Sequence, residues 1–333
     1  MRSSRTPVKS TYYNVQDSLM IMGKKPFRFG IASTGAGSGA EWTAKALRAE
    51  ELGYSTLVVP DHFIEQISPM PALAAAAQAT SSLRVGSIVF CNDFRHPMLL
   101  AKEAATIDFL SEGRFELGLG AGWMKAEYDA IGLPFDSPGV RVSRLEEAVR
   151  VIKGHWGDEP FRFSGKHYTV DESKGVEKIP KPVQRPHPPL LIGGGGRRML
   201  TLAAQEADIV GLALRVRSDG KGPDISDLGV SLETKVDWIR SEAGERFDEI
   251  ELNVLTWALS ITDEPQSVAE TLSKRFGVPP DTLLELPFLL VGSIDEIQER
   301  LVEHRERFGI SYFMIWDRDM ETFAPIAKRL TGK

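Results

Sequence analysis

RFELGLGAGWMKAEY, residues 114–128, is the stretch from which the fold can be read. Phe115, Leu117 and Leu119 repeat with the period of two that a strand imposes. Gly120, Ala121 and Gly122 then remove side-chain bulk where the strand stops, so a planar ligand can approach the backbone before a helix opens. Upstream, LVVPDHF at residues 57–63 ends another apolar strand on Asp61 and His62. Two strand ends of this kind point to a shared pocket.

Further out, apolar strand-like runs begin near Phe27, Thr56, Leu83, Arg114, Pro189, Asp208, Ile250 and Ser311, and nearly every one leads into a helical pattern. Such alternation implies a parallel sheet. The first four units recur at about 30 residues, the length of a strand, a helix and two short loops. Eight units suit a closed α/β barrel of the TIM (β/α)8 type better than an open sheet. Helix signals agree. WTAKALRAEELGY at residues 42–54 puts Trp42, Ala46, Ala49 and Leu52 on one face and stops at Gly53. Ser293 and Glu296 form a capping-box pattern before Ile297, Leu301 and Phe308, with Gly309 closing the helix.

Two stretches break the alternation. Residues 154–190 contain FRFSGKHYTV, patterned as a hairpin around Ser164 and Gly165 and followed by a proline-rich passage; residues 218–231 are rich in Gly, Asp and Ser. Both are expected as loops inserted at the C-terminal face of the barrel, where they would cover a site.

The chain has 333 residues with 42% hydrophobic content, enough for one large domain, expected over residues 27–333 behind a polar extension at residues 1–26. A formal net charge of −6 argues against nucleic acid or an acidic membrane as the main partner and leaves a small molecule as the expected ligand. The lone Cys91 excludes an intramolecular disulfide, and histidines 62, 96, 155, 167, 187 and 304 lack metal-ligand spacing, so no metal is expected. The sequence shows no apolar run of about 18 residues and no secretory pattern at residues 1–26, and a cytoplasmic location is expected.

GIASTGAGSGAEW at residues 30–42 offers a competing reading. Gly35, Gly37 and Ala40 match the relaxed spacing of a dinucleotide fingerprint, and Asp61 would be its ribose acid. Ile31 to Thr34 separate the strand from those glycines, which ranks this reading second.

VVPDHF, the block at residues 83–128 and LLIGGGG at residues 190–196 together resemble the luciferase-like monooxygenase superfamily, in particular its branch of coenzyme F420-dependent oxidoreductases. The resemblance covers residues 27 to about 330. It implies a TIM-type barrel with an insertion before strand five, and a homodimer. It also implies a non-prolyl cis peptide at Ile88–Val89, which with Ser87 would back the cofactor ring. Asp61 and His62 match the polar pair near the ring; His62 is the candidate for proton transfer, since imidazole titrates near neutrality. A histidine that only packs or hydrogen-bonds the cofactor is the alternative. Gly120, Gly122 and Trp123 would line the cofactor, with Glu127 holding the loop. One departure stands out: F420-dependent sugar-phosphate dehydrogenases carry a catalytic glutamate where this chain has Trp123, and a tryptophan where it has Gln66.

Gly193, Gly194, Gly195 and Gly196 precede the helix RRMLTLAAQEA, so backbone amides and a helix N-terminus converge on an anion site. Arg197 or Arg198 would add a charge-assisted contact to the phosphate that F420 and FMN share. Ser33, Thr34, Asn92, Trp257 and Trp316 fall near strand ends as substrate walls without a catalytic role. The expected activity is hydride transfer between the deazaflavin C5 of F420 and an organic substrate. An FMN-dependent monooxygenase is the alternative, and a non-catalytic flavin-binding barrel the third reading.

Overall fold

A computed structural model describes residues 25–174, 180–217, 219–222 and 224–333. The expectation of an N-terminal extension therefore lies, for residues 1–24, outside the described residues.

All eight expected runs form staves of one parallel barrel. They are β1 (Arg28–Ala32), β2 (Thr56–Val59), β3 (Arg84–Ser87), β4 (Phe115–Gly120), β5 (Leu190–Gly194), β6 (Ile209–Leu212), β7 (Glu251–Leu255) and β8 (Ile310–Trp316). Each pairs with its sequence neighbour, β1 pairs with β8, and Val85 opposite Phe115 joins β3 to β4, so the sheet closes. Beyond Ser87 the third stave resumes as Phe90–Cys91 beside β4, and the Ile88–Val89 peptide between the two pieces is cis, at the position the resemblance implied. Closure removes the dinucleotide reading, which needs an open sheet with a crevice where the strand order reverses.

Apolar side chains on the outer face of the staves meet the helices. Trp42, Ala46 and Ala49 of helix Gly39–Glu51 are buried there, and Gly53 follows at φ +82°. A smaller cluster fills the barrel interior, with Ala32, Val58, Leu191, Tyr312 and Met314 fully buried and Ile88 and Val89 against them. Below it, charge closes the N-terminal end. Arg28 of β1 bonds Glu116 of β4 at 2.8 Å and Glu251 of β7 at 2.6 Å, and lies 3.6 Å from the Tyr312 ring centroid. Arg84 adds a second cation to Glu116 at 2.6 Å. Burial opposes ionisation of Glu116, yet the two guanidiniums hold it below the usual carboxylate range.

The expected hairpin is present, with Arg162–Ser164 antiparallel to Thr169–Asp171. Glu147 ties its tip to helix Pro138–Trp156 by accepting the N–H groups of Lys166, His167 and Tyr168 at 2.7, 2.8 and 3.0 Å. A third insertion was not anticipated. Between β7 and β8, strand Ala258–Ile261 runs parallel to Leu289–Gly292, with helices Pro265–Phe276 and Pro280–Leu284 between them. Among the described residues no helix is long and apolar enough to cross a membrane.

Candidate active site

The C-terminal ends of all eight staves open into one cavity of about 940 Å³. Two glycines let its wall pack closely. A Cβ on Gly120 would come 2.6 Å from Val89 Cγ2, and one on Gly122, at φ +76°, would come 2.0 Å from the Tyr128 hydroxyl. No other residue fits at either position without moving its neighbours.

After β2, Pro60, Asp61 and His62 line one wall. Asp61 is fully engaged: Arg95 donates to both its oxygens at 2.6 and 3.1 Å, and the Cys91 backbone N–H donates at 3.0 Å. Its carboxylate therefore braces the third stave against the second. His62 has a different partner. Its Nδ1 lies 3.0 Å from each oxygen of Glu127, a buried side chain that also accepts the Phe63 backbone N–H at 2.7 Å. A carboxylate only accepts, so Nδ1 carries the hydrogen and Nε2 of neutral His62 is the bare nitrogen. Trp123 packs edge-on to the imidazole at 5.7 Å. The one thiol in this wall is inert, because burial pushes Cys91 up to about 12.

Cations also line the cavity. Helix Arg197–Glu206 begins at Gly196, which lines the cavity, and among the described residues no side chain caps its first turn, so its leading N–H groups are left open there. Arg197 lines the cavity and, among the described residues, forms no ion pair; its guanidinium sits 5.7 Å from the Trp238 ring. Arg141 is 5% exposed and stacks 4.0 Å from the Phe135 ring, and its Nε has no partner among the described residues. Burial pushes its guanidinium below the usual arginine range against the opposing influence of Tyr128, Asp93, Cys91 and Asp136, and it donates to the Asp136 carbonyl. Two acceptors complete the lining. The Asn253 amide donates to the Tyr312 carbonyl at 3.1 Å, which fixes its orientation and leaves Oδ1 without a partner among the described residues; Gln66 Oε1 is likewise unpartnered among them.

A family model described as luciferase-like monooxygenase matches residues 24–225. The chain belongs to this family. Within it, the chain is 33% identical over 178 residues to an FMNH(2)-dependent dimethylsulfone monooxygenase of Pseudomonas putida, covering 54% of this chain but 46% of that protein. It is 28% identical over 244 residues to an F420-dependent glucose-6-phosphate dehydrogenase of Kineococcus radiotolerans, covering 70% of this chain and 67% of the other. Among solved structures, an F420-dependent secondary alcohol dehydrogenase in complex with an F420-acetone adduct superposes with TM-score 0.71 at 22% identity, over 92% of this chain and 98% of that one. That likeness shows the fold.

In this luciferase-like barrel, the cavity brings together Asp61, His62, Ile88, Val89, Gly120, Gly122, Trp123, Glu127, Arg197 and the glycines at 193–196. Ser87 is a correction: it stays in the barrel wall, its hydroxyl donating to the Gly118 carbonyl at 2.8 Å and accepting the Gly118 N–H at 3.1 Å. The glycine run also divides. A Cβ on Gly195 would lie 2.3 Å from the Ala213 carbonyl and one on Gly194 2.8 Å from Met199 Cβ, so those two serve protein packing, whereas Gly193 and Gly196 have room. Arg198 is spent on Glu146 at 2.7 Å and the Gly139 carbonyl at 2.9 Å. Of the proposed walls, Thr34, Trp257 and Trp316 line the cavity, while Ser33 bonds Asp317 and Asn92 bonds Tyr168. Arg215, Val216 and Asp224 cover part of the mouth, but the hairpin at residues 162–171 contributes no lining residue. Sequence reading missed Arg95, Arg141 and Asn253. An arginine three residues past the Pro of a helix-opening Ser-Pro, Ser137–Pro138, was the one available signal.

Proposed function

We propose that the protein is a coenzyme F420-dependent oxidoreductase acting on a small organic substrate, with His62 exchanging the proton that accompanies hydride transfer. Bound in the cavity, the deazaflavin supplies a two-electron hydride carrier. The residues present fit such a ligand: Gly193 leaves room beside Val89, Asn253 Oδ1 offers an acceptor to ring N–H groups, and the open helix terminus with Arg197 and Arg141 suits a phosphate.

The observation that carries the reading is the His62–Glu127 pair. Glu127 fixes the imidazole orientation and the Nδ1–H tautomer, and so leaves Nε2 placed to act as base toward a substrate hydroxyl or, once it carries that proton, as acid toward a carbonyl. Trp123 packs edge-on against the imidazole, and Val89 lines the same cavity. Trp123 and Gln66 argue against sugar-phosphate chemistry, because the family's sugar-phosphate dehydrogenases place a glutamate and a tryptophan there. We further propose a homodimeric, cytoplasmic enzyme with residues 27–333 as its one domain.

A second reading, an FMN-dependent monooxygenase, is favoured by the 33% identity to the dimethylsulfone enzyme. Paired fluorescence titrations of the apoprotein with F420 and with FMN separate the two. Micromolar or tighter binding of F420 alone supports the first; preference for FMN transfers the proposal to the second; binding of neither overturns both.

A further inference from the structure

Helix Ile294–Phe308, on the outside of the barrel, carries Arg300, Glu303, His304 and Arg307 at spacings of three and four, which places them on one face. That face and the segment Leu284–Glu285 enclose a second cavity of about 190 Å³, lined by all four side chains. His304 is only 3% exposed, and neither of its ring nitrogens has a partner among the described residues. A neutral imidazole always presents one donor and one acceptor, and protein interiors satisfy such groups almost without exception. Something in the cavity must do so.

The surrounding charge says what. Arg300 spends one N–H on the Val291 carbonyl at 3.0 Å and has donors to spare, while Arg307 reaches the cavity from a rim position shared with Glu233. Burial, with Arg300 and Arg307 adding to it, holds the His304 imidazole down to about 4, and these two guanidiniums are the cations facing it. Glu285 and Glu303 stand exposed at the edge, where solvent screens them.

We propose that this cavity binds a small oxyanion, a carboxylate or a phosphate, between Arg300, Arg307 and the imidazole of His304. The site is independent of the cofactor cavity and does not rest on the proposed redox function. The insertion links the two: Trp257, which lines the cofactor cavity, stacks on Phe288 at 4.7 Å, one residue before the strand Leu289–Gly292 that leads into the helix.

The test is a nuclear magnetic resonance titration of the full chain carrying labelled histidine, with sodium phosphate and sodium acetate added separately at neutral pH and sodium chloride holding ionic strength. His304→Gln assigns the resonance. The expected result is a saturable shift of the His304 signals with phosphate or acetate and none with chloride; which anion binds more tightly identifies the class. An anion also favours the imidazolium, so the His304 midpoint should rise from about 4 against the fixed background of Arg300, Arg307, Glu303 and Glu285. Arg300→Gln should weaken the anion about tenfold or more while leaving F420 and FMN titrations unchanged. No saturable shift with either anion, or an equal shift with chloride, means that water alone fills the cavity and overturns the proposal. Unchanged anion affinity in both Arg300→Gln and His304→Gln overturns it as well.

Discussion

At the scale of single residues, His62 and Gly122 show how the site was assembled. His62 reaches the cavity because β2 ends at Val59, and it is held there by a carboxylate 65 positions away. Replacing His62 with Ala should lower turnover by about a hundredfold or more, the usual weight of a positioned acid–base group, with the cofactor dissociation constant little changed. Steady-state kinetics beside a binding titration reads both; unchanged turnover removes His62 from the mechanism. Gly122 combines φ +76° with a neighbouring hydroxyl 2.0 Å from where a Cβ would stand. Gly122→Ala is expected to cost at least about 1–3 kcal/mol from backbone strain alone, measurable by urea unfolding, and to weaken cofactor binding by displacing Tyr128. A variant as stable as the parent would show that the turn relaxes freely.

Secondary-structure elements were the most legible layer of the sequence. Staves are continuous apolar runs bracketed by Gly, Pro and polar residues, and helix ends carry their caps in the chain itself. Ser293 accepts the Glu296 N–H at 3.3 Å and Glu296 returns to the Ser293 N–H at 2.7 Å, the reciprocal pattern read from two letters. Ser293→Ala should lower stability by about 1 kcal/mol, seen as a shifted denaturant midpoint at constant slope. What stayed hidden was pairing over distance. Ala258–Ile261 and Leu289–Gly292 are short, flanked by charge and proline, and gain their identity only from each other. The site was legible to the same degree: glycine turns and strand-end polar residues announce themselves, but the Arg95 clamp on Asp61 crosses 34 positions and Asn253 looks like any polar residue in a strand.

Across the whole molecule, buried titrating groups set the response to acid. His304 has its folded value pressed down to about 4 from an ordinary 6.5. The unfolded chain therefore binds a proton first as pH falls, and stability drops between those two values by up to about 3 kcal/mol. Glu116, depressed by Arg28 and Arg84, stabilises the fold above the ordinary carboxylate range and loses that contribution as pH falls through its folded value. Chemical unfolding across this range should show stability rising with pH, and His304→Gln should flatten the upper part of the curve; an identical curve would mean that His304 is hydrated in the native state.

The charged floor bears on traffic. Among the described residues, Arg28, Arg84, Glu116 and Glu251 close the N-terminal end of the barrel and the cavity lies at the other end, so we expect everything that enters it to come and go by a single doorway. A ligand seated against the strand ends has to arrive before its companion and depart after it. Turnover in such a vessel is a queue, and product-inhibition kinetics should report a compulsory order of binding and release, with random order ruling the single doorway out.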